Sequence, residues 1–150
     1  MAIGKSKLHR IAWNLRFLSD AEAWIKTFTP QLKEQILDLV REQQHKREGI
    51  DADGNVIGYY SYVTSLINPK KVFNTHYTLE DTGSFHRSMF VRVFLDQIVI
   101  DANSQSYFEM QDQDWWTDRI MGLTDENIQF LIQKTRESYV NYVREVLSRP

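Results

Sequence analysis

The sequence predicts an α+β fold in which N-terminal helices and a long C-terminal helix pack on a small antiparallel β-sheet. Three observations carry that expectation. Ile128, Leu131, Ile132, Thr135, Tyr139, Tyr142, Val143 and Val146 recur at helical spacing over about six turns. Met89, Val91 and Val93 alternate with Phe90, Arg92 and Phe94, and Ile98-Val99-Ile100 follows at once as an antiparallel partner. Between these signals and the N-terminus, Thr29-Pro30 opens a third periodic stretch.

From the N-terminus, Leu8, Ile11, Leu15 and Leu18 predict an amphipathic helix behind a basic start, Lys5, Lys7 and Arg10. Ser19-Asp20 restarts the chain, and Ala21, Trp24 and Phe28 line a second short helix. Thr29 can cap free backbone amides, while Pro30 at the first helical position forfeits no hydrogen bond. The helix they begin carries its apolar stripe on Leu32, Ile36, Leu39 and Val40. Polar Arg41 to Glu48 is expected to carry it outward until Gly49 ends it.

Asp51-Ala52-Asp53-Gly54-Asn55 reads as a tight turn, because Asp, Asn and Gly accept left-handed backbone and bond their own main chain. A Tyr-rich stretch with Tyr59, Tyr60 and Tyr62 follows, then an exposed loop at Asn68-Pro69-Lys70-Lys71. Strand character is expected from Tyr77 and Leu79, across a Thr82-Gly83-Ser84 break, to residue 102. Asn103 to Asp114 reads as a polar connection, and Gly122-Leu123-Thr124 introduces the last helix, with Asp125 and Glu126 at its positive end. The organisation predicted is a helical arm over residues 1–29 and one α+β domain over residues 30–150.

Composition narrows the chemistry. The 150 residues include no Cys, so thiolate metal sites, Cys nucleophiles and disulfides are excluded. A net charge of −2 deprives the whole domain of a dominant grip on nucleic acid phosphates. No apolar run approaches a membrane span and no signal-peptide core is visible, so synthesis in the cytoplasm and no membrane partner are expected. Aromatic residues reach 13%, more than a small core readily hides, which favours an interface. Trp13, Trp24, Tyr59, Tyr60, Trp115 and Trp116 are the interface candidates. The adjacent Trp115 and Trp116 either point apart, leaving one for a partner, or both pack in the core across a bend.

The residues that could do chemistry do not form a pattern. A calcium loop starting at Asp51 needs Gly at position 56 and Glu at position 62, where Val56 and Tyr62 stand. His9, His45, His76 and His86 lack metal-ligand spacing and read as scattered surface or loop residues. Asp81, Ser84, His86 and Ser88 supply the residue types of a nucleophilic triad, but as strand neighbours they cannot converge as one. No phosphate-cradling Gly run is present. The expectation is a non-enzymatic protein with no cofactor.

Gly49-Ile50-Asp51-x-Asp53-Gly54-Asn55, Tyr60-Ser61, Thr64, Leu79-x-Asp81-Thr82-Gly83-x-Phe85-x-x-Ser88 and Gly122-Leu123-Thr124-Asp125-Glu126-Asn127 resemble, in order and spacing, a family of small proteins from phages and prophages of Bacteroides-type bacteria. The resemblance covers residues 30–147 and extends to the wider class of head-to-tail connector and tail-completion proteins. It implies a virion structural protein, a homo-oligomeric neck ring contacting portal, adaptor or tail proteins, with DNA passing through its lumen. It also implies structural roles for Gly49, Asp51, Gly54, Leu79, Thr82, Gly83, Phe85, Ser88, Gly122 and Thr124. The alternative expectation is a nucleic-acid-binding or regulatory module that uses the basic N-terminal helix.

Overall fold

The computed structural model describes Asn14 and residues 19–150. The helix expected through Leu8, Ile11, Leu15 and Leu18, and Trp13, lie outside the described residues. The rest has the α+β architecture anticipated: helices around one two-stranded antiparallel sheet, closed by a long C-terminal helix.

Ser19 caps helix α1 (Asp20–Thr27), its hydroxyl accepting from the Glu22 amide at 3.1 Å. Thr29 does the same for α2 (Pro30–Asp38) at the Leu32 amide, with Pro30 at the first helical position. The helix then changes hydrogen-bonding pattern. Residues Leu39–Glu48 are π-helical, and the Gly49 amide bonds back to the Gln44 carbonyl before Gly49, at φ 65°, ends the run. Left-handed backbone of this kind favours Gly, which carries no Cβ to clash with the preceding turn. The polar end does not run outward. Gln44 and His45 are both fully buried.

Asp51–Asn55 forms the expected turn. The Asp51 carboxylate accepts from the amides of Asp53 and Asn55, and Gly54 sits at φ 79°. After a short helix α3 (Tyr62–Ile67), the segment expected to be strand departs from the reading. Tyr77 and Leu79 lie in no strand, and Ser84–Arg87 is a helical turn, α4, entered through Gly83 at φ 81°. Short polar residues at Thr82 and Ser84 bond one another locally and compete with a β ladder.

Strands β1 (Met89–Val93) and β2 (Ile98–Ala102) pair with Met89 opposite Ala102 and Val93 opposite Ile98. The Phe94 amide closes the hairpin on the Gln97 carbonyl. Met89 and Val91 point inward from β1 onto α2, as their alternation requires. The polar connection after β2 contains an unforeseen helix, α5 (Gln105–Gln111), capped by Ser104 at the Tyr107 amide. A 3₁₀ turn (Asp118–Met121) then leads to α6 (Asp125–Leu147), capped by Thr124 at the Asn127 amide.

The main core gathers Leu32, Ile36 and Val40 with Phe85, Met89, Tyr107 and Ile120, among others. A smaller cluster, Ala23 with Tyr142 and Val146, holds α1 against the C-terminal half of α6. The α6 stripe is only partly covered, since Ile128, Ile132 and Tyr139 each remain more than one-third exposed. Among the described residues, no helix is long and apolar enough to cross a membrane.

Candidate functional site

The π-helical segment organises the molecule from inside. Gln44 donates to the Gly122 carbonyl at 2.9 Å, and its side-chain oxygen accepts from the Thr124 amide and from the Asn127 side chain at 2.8 Å. One buried amide therefore fixes the whole entry to α6. Next to it, His45 Nε2 lies 2.7 Å from the Ile120 carbonyl and His45 Nδ1 lies 3.2 Å from His86 Nε2. A carbonyl only accepts, so His45 carries its proton on Nε2 and takes a hydrogen bond on Nδ1 from His86. His86 Nδ1 is then a bare, buried acceptor with no partner.

This pair corrects the expectation of surface histidines. His45 is 0% and His86 3% exposed. Burial pulls the His45 pKa down to about 4, against a smaller opposing pull from the Ile120 carbonyl. Burial and the neighbouring positive charges of His45, Lys46 and Arg41 pull His86 down to about 3. Both rings are neutral near pH 7.

Three of the segments behind the sequence resemblance, residues 51–55, 85–88 and 122–127, meet around this hub, while Tyr60, Ser61, Thr64 and Leu79 lie apart from it. The Asp51–Asn55 turn docks on the 3₁₀ turn through Ala52 N to Arg119 O at 2.9 Å and a two-pronged Arg119–Asp53 pair. That pair holds the Asp53 carboxyl below its ordinary range. Gly122 packs so closely on this turn that an added Cβ would lie 2.9 Å from that of Ala52. Phe85 is buried in the core, and the Ser88 hydroxyl donates to Phe85 O and accepts from the Asn103 amide. Ser84 Oγ meets Thr82 and Ser106, while His86 turns inward to His45, so the residue types of a triad face different ways.

Outside this scaffold lies a groove of about 480 Å³ between α3, the Leu79–Phe85 segment and α5. Leu79, Phe85, Tyr77, Met110 and Trp115 give it an apolar floor, and Glu80, Asp81 and Glu109 rim it. Leu79 holds φ 57° there, a left-handed backbone uncommon outside Gly and Asn. Lys71 lies 3.6 Å from Asp81 and Lys46 lies 3.8 Å from Glu80.

One wall of the groove ends in an arm. Its base is closed by an antiparallel bridge between Tyr59 and His76, and by Tyr60 N to Thr75 O and Asn74 N to Tyr60 O, both 2.9 Å. Ser61 caps α3 at the arm's start. Tyr62, Val63, Leu66 and Ile67 stand one helical turn apart in pairs and are 62–80% exposed, while Val72 and Phe73 return at 56%. No residue of α3 is buried.

The aromatic candidates separate accordingly. Tyr59 is 56% exposed on the arm. Tyr60 is buried at the arm's root, its hydroxyl accepting from the Thr78 amide, with one edge lining the groove. Trp24 is half-buried against Phe28 and donates from Nε1 to the Phe94 carbonyl. Trp115 and Trp116 both pack against the main core, the second of the two arrangements the sequence allowed. The arm's apolar residues other than Tyr59 were not anticipated. Ser61 as a cap, followed by apolar residues at 62, 63, 66 and 67, was the available signal.

Comparison with known proteins gave no match to a family model, to a curated protein or to a solved structure.

Proposed function

We propose that the chain is a structural protein of a tailed-phage virion, a ring-forming component of the head-to-tail connector, neck or tail-completion complex. The observation that carries the assembly part of this reading is the arm. Seven large apolar side chains between Tyr59 and Phe73 are each more than half exposed. Contiguous exposed apolar surface marks sites of association, because each such side chain gains about 1–2 kcal/mol when a partner removes it from water.

A closed ring needs two unlike surfaces that meet around a rotation axis. The arm supplies one protruding surface and the groove beside it one concave surface, and among the described residues neither is covered. The resemblance of the motif segments to phage neck proteins gives this assembly its setting, with portal, adaptor or tail proteins above and below and DNA in the lumen. The chain acts by shape and contact, without chemistry of its own.

Native mass spectrometry of the purified protein, together with cryo-electron microscopy of the particle that carries it, tests the reading. Masses at a fixed multiple of 17.8 kDa and ring density at the neck are expected. A protein that stays monomeric and is absent from purified virions refutes it.

A further inference from the structure

We propose that the arm of one copy docks on the outer face of the hairpin and α5 of a second copy, an inference that rests on the ring reading. Charge is sorted along this chain in a way that pairs the two regions. The longest stretch without Asp or Glu is residues 54–79, which holds the whole arm with Lys70 and Lys71. The longest without Lys or Arg is residues 93–118, which holds β2 and α5 with Asp96, Asp101, Glu109, Asp112, Asp114 and Asp118. Among the described residues, none of those six carboxylates is in an ion pair. Lys71 is engaged by Asp81 of its own copy, which leaves the exposed Lys70 as the arm's available cation. An arm of this composition brings apolar surface to an acidic face with no like charge and one opposite charge.

The receiving face is built by the hairpin and α5 together. Phe90, Asp101 and Phe108 line a hollow of about 440 Å³ between them. Phe108 is 49% exposed, and Asp112 continues its side of the helix one turn on. Arg92, laid over the Phe90 ring, is the base at the hollow's edge and is outnumbered by the two carboxylates. The groove beside the arm is a poorer receiver, because its Glu80 and Asp81 already meet Lys46 and Lys71.

Helix α5 also assigns the two surfaces to different copies. Its Ser106, Glu109 and Met110 face the groove whose other wall is Tyr60 and Thr64 of the arm, whereas Tyr107, Phe108 and Gln111 face the hollow. Within one chain α5 therefore stands between the arm and the hollow, and the arm meets the hollow of a neighbour. The arm is large enough for the task. At about 150–200 Å² for residues of this size, exposures of 56–80% leave roughly 800 Å² of its seven apolar residues in water, the share one partner brings to a standard interface. Each copy then gives an arm on one side of α5 and receives one on the other, which is the head-to-tail relation a ring closes on.

The absence of Cys allows a direct test. Full-length Leu66→Cys and Gln111→Cys proteins, mixed and oxidised, are expected to form a disulfide-linked heterodimer, identified by its linked peptides. Mixing Leu66→Cys with Gln35→Cys, exposed on α2, is expected to give none. The Asp112→Lys protein, its melting temperature unchanged, is expected to lose at least about fivefold in assembly affinity by native mass spectrometry. A heterodimer formed with Met110→Cys in place of Gln111→Cys moves the arm to the groove and overturns the hollow. A disulfide formed only within single molecules of Leu66→Cys/Gln111→Cys overturns docking between copies. If the unaltered chain assembles but no mixture yields a heterodimer and Asp112→Lys assembles normally, the docking proposal falls while the ring reading stands. If the unaltered chain does not assemble, the ring reading falls and takes the proposal with it. Co-sedimentation of that monomer with phosphatidylglycerol vesicles, abolished in Leu66→Asp/Ile67→Asp, then gives the arm to a lipid surface instead.

Discussion

Acidification to about pH 5 is expected to destabilise the protein through the His45–His86 pair, before most carboxylates begin to titrate. In the unfolded chain both rings titrate near 6.5, and in the fold near about 4 and about 3. Because the folded values are depressed, the unfolded state binds more protons below pH 6.5. The stability the neutral pair contributes is complete above that pH and falls as pH drops through it, until the folded values are passed. One unit of difference is worth about 1.4 kcal/mol. At pH 5 the unfolded chain has protonated both rings and the fold neither, a loss of about 2 kcal/mol per ring and about 4 kcal/mol for the pair. With a urea dependence of about 2 kcal/mol per M for a domain of this size, the unfolding midpoint drops by about 2 M between pH 7.5 and pH 5. Tryptophan fluorescence reports it, since Trp115 and Trp116 pack on the core. In His86→Leu one titrating ring remains and the pH-dependent loss halves. A midpoint that moves by less than about 0.5 M, or rises in acid, shows that the two rings are not buried and neutral together.

Gln44→Leu leaves the Thr124 amide, the Gly122 carbonyl and the Asn127 amide without their shared partner and is expected to cost about 3 kcal/mol, measured by urea unfolding. Gly49→Ala and Gly54→Ala make a matched pair, both at positive φ. A Cβ at Gly49 would lie 2.4 Å from the His76 ring and one at Gly54 would meet nothing, so thermal melting should show the first losing at least about 1 kcal/mol more than the second. Leu66→Asp/Ile67→Asp removes two of the most exposed arm residues and should leave the melting temperature unchanged within about 2 °C. The same variant should remain monomeric in native mass spectrometry where the parent assembles.

What could be read from the sequence was whatever depends on neighbours along the chain. Thr29, Thr124 and Gly49 mark helix ends by local hydrogen bonding and backbone freedom, and Met89, Val91 and Val93 declare a strand by alternation. His45 and Gln44 were misread because their partners, His86 and Gly122, lie 41 and 78 positions away. Polarity alone places such residues outside, and only the fold supplies the buried groups that satisfy them. The arm failed to show for the opposite reason. A stripe through Tyr62, Val63, Leu66 and Ile67 looks the same whether it faces a core or water, and here the bridge at Tyr59 and His76 turns it outward. Helix α5 was concealed by its Gln, Ser and Asp content, although Ser104 and Tyr107 held the cap and the anchor.

The π-helical run from Leu39 to Glu48 ties length and chemistry together in this chain. Each hydrogen-bonded ring there encloses one residue more than an α-helix does. Deleting a single residue from it would allow an α-helix to form, but would swing every later side chain by about 100° about the axis. A deletion ahead of Gln44 would carry Gln44 and His45 out of the interior together. The widened helix and its two buried polar residues are consequently one structural unit: a chain shortened there would leave the buried Asn127 and His86 without their present partners.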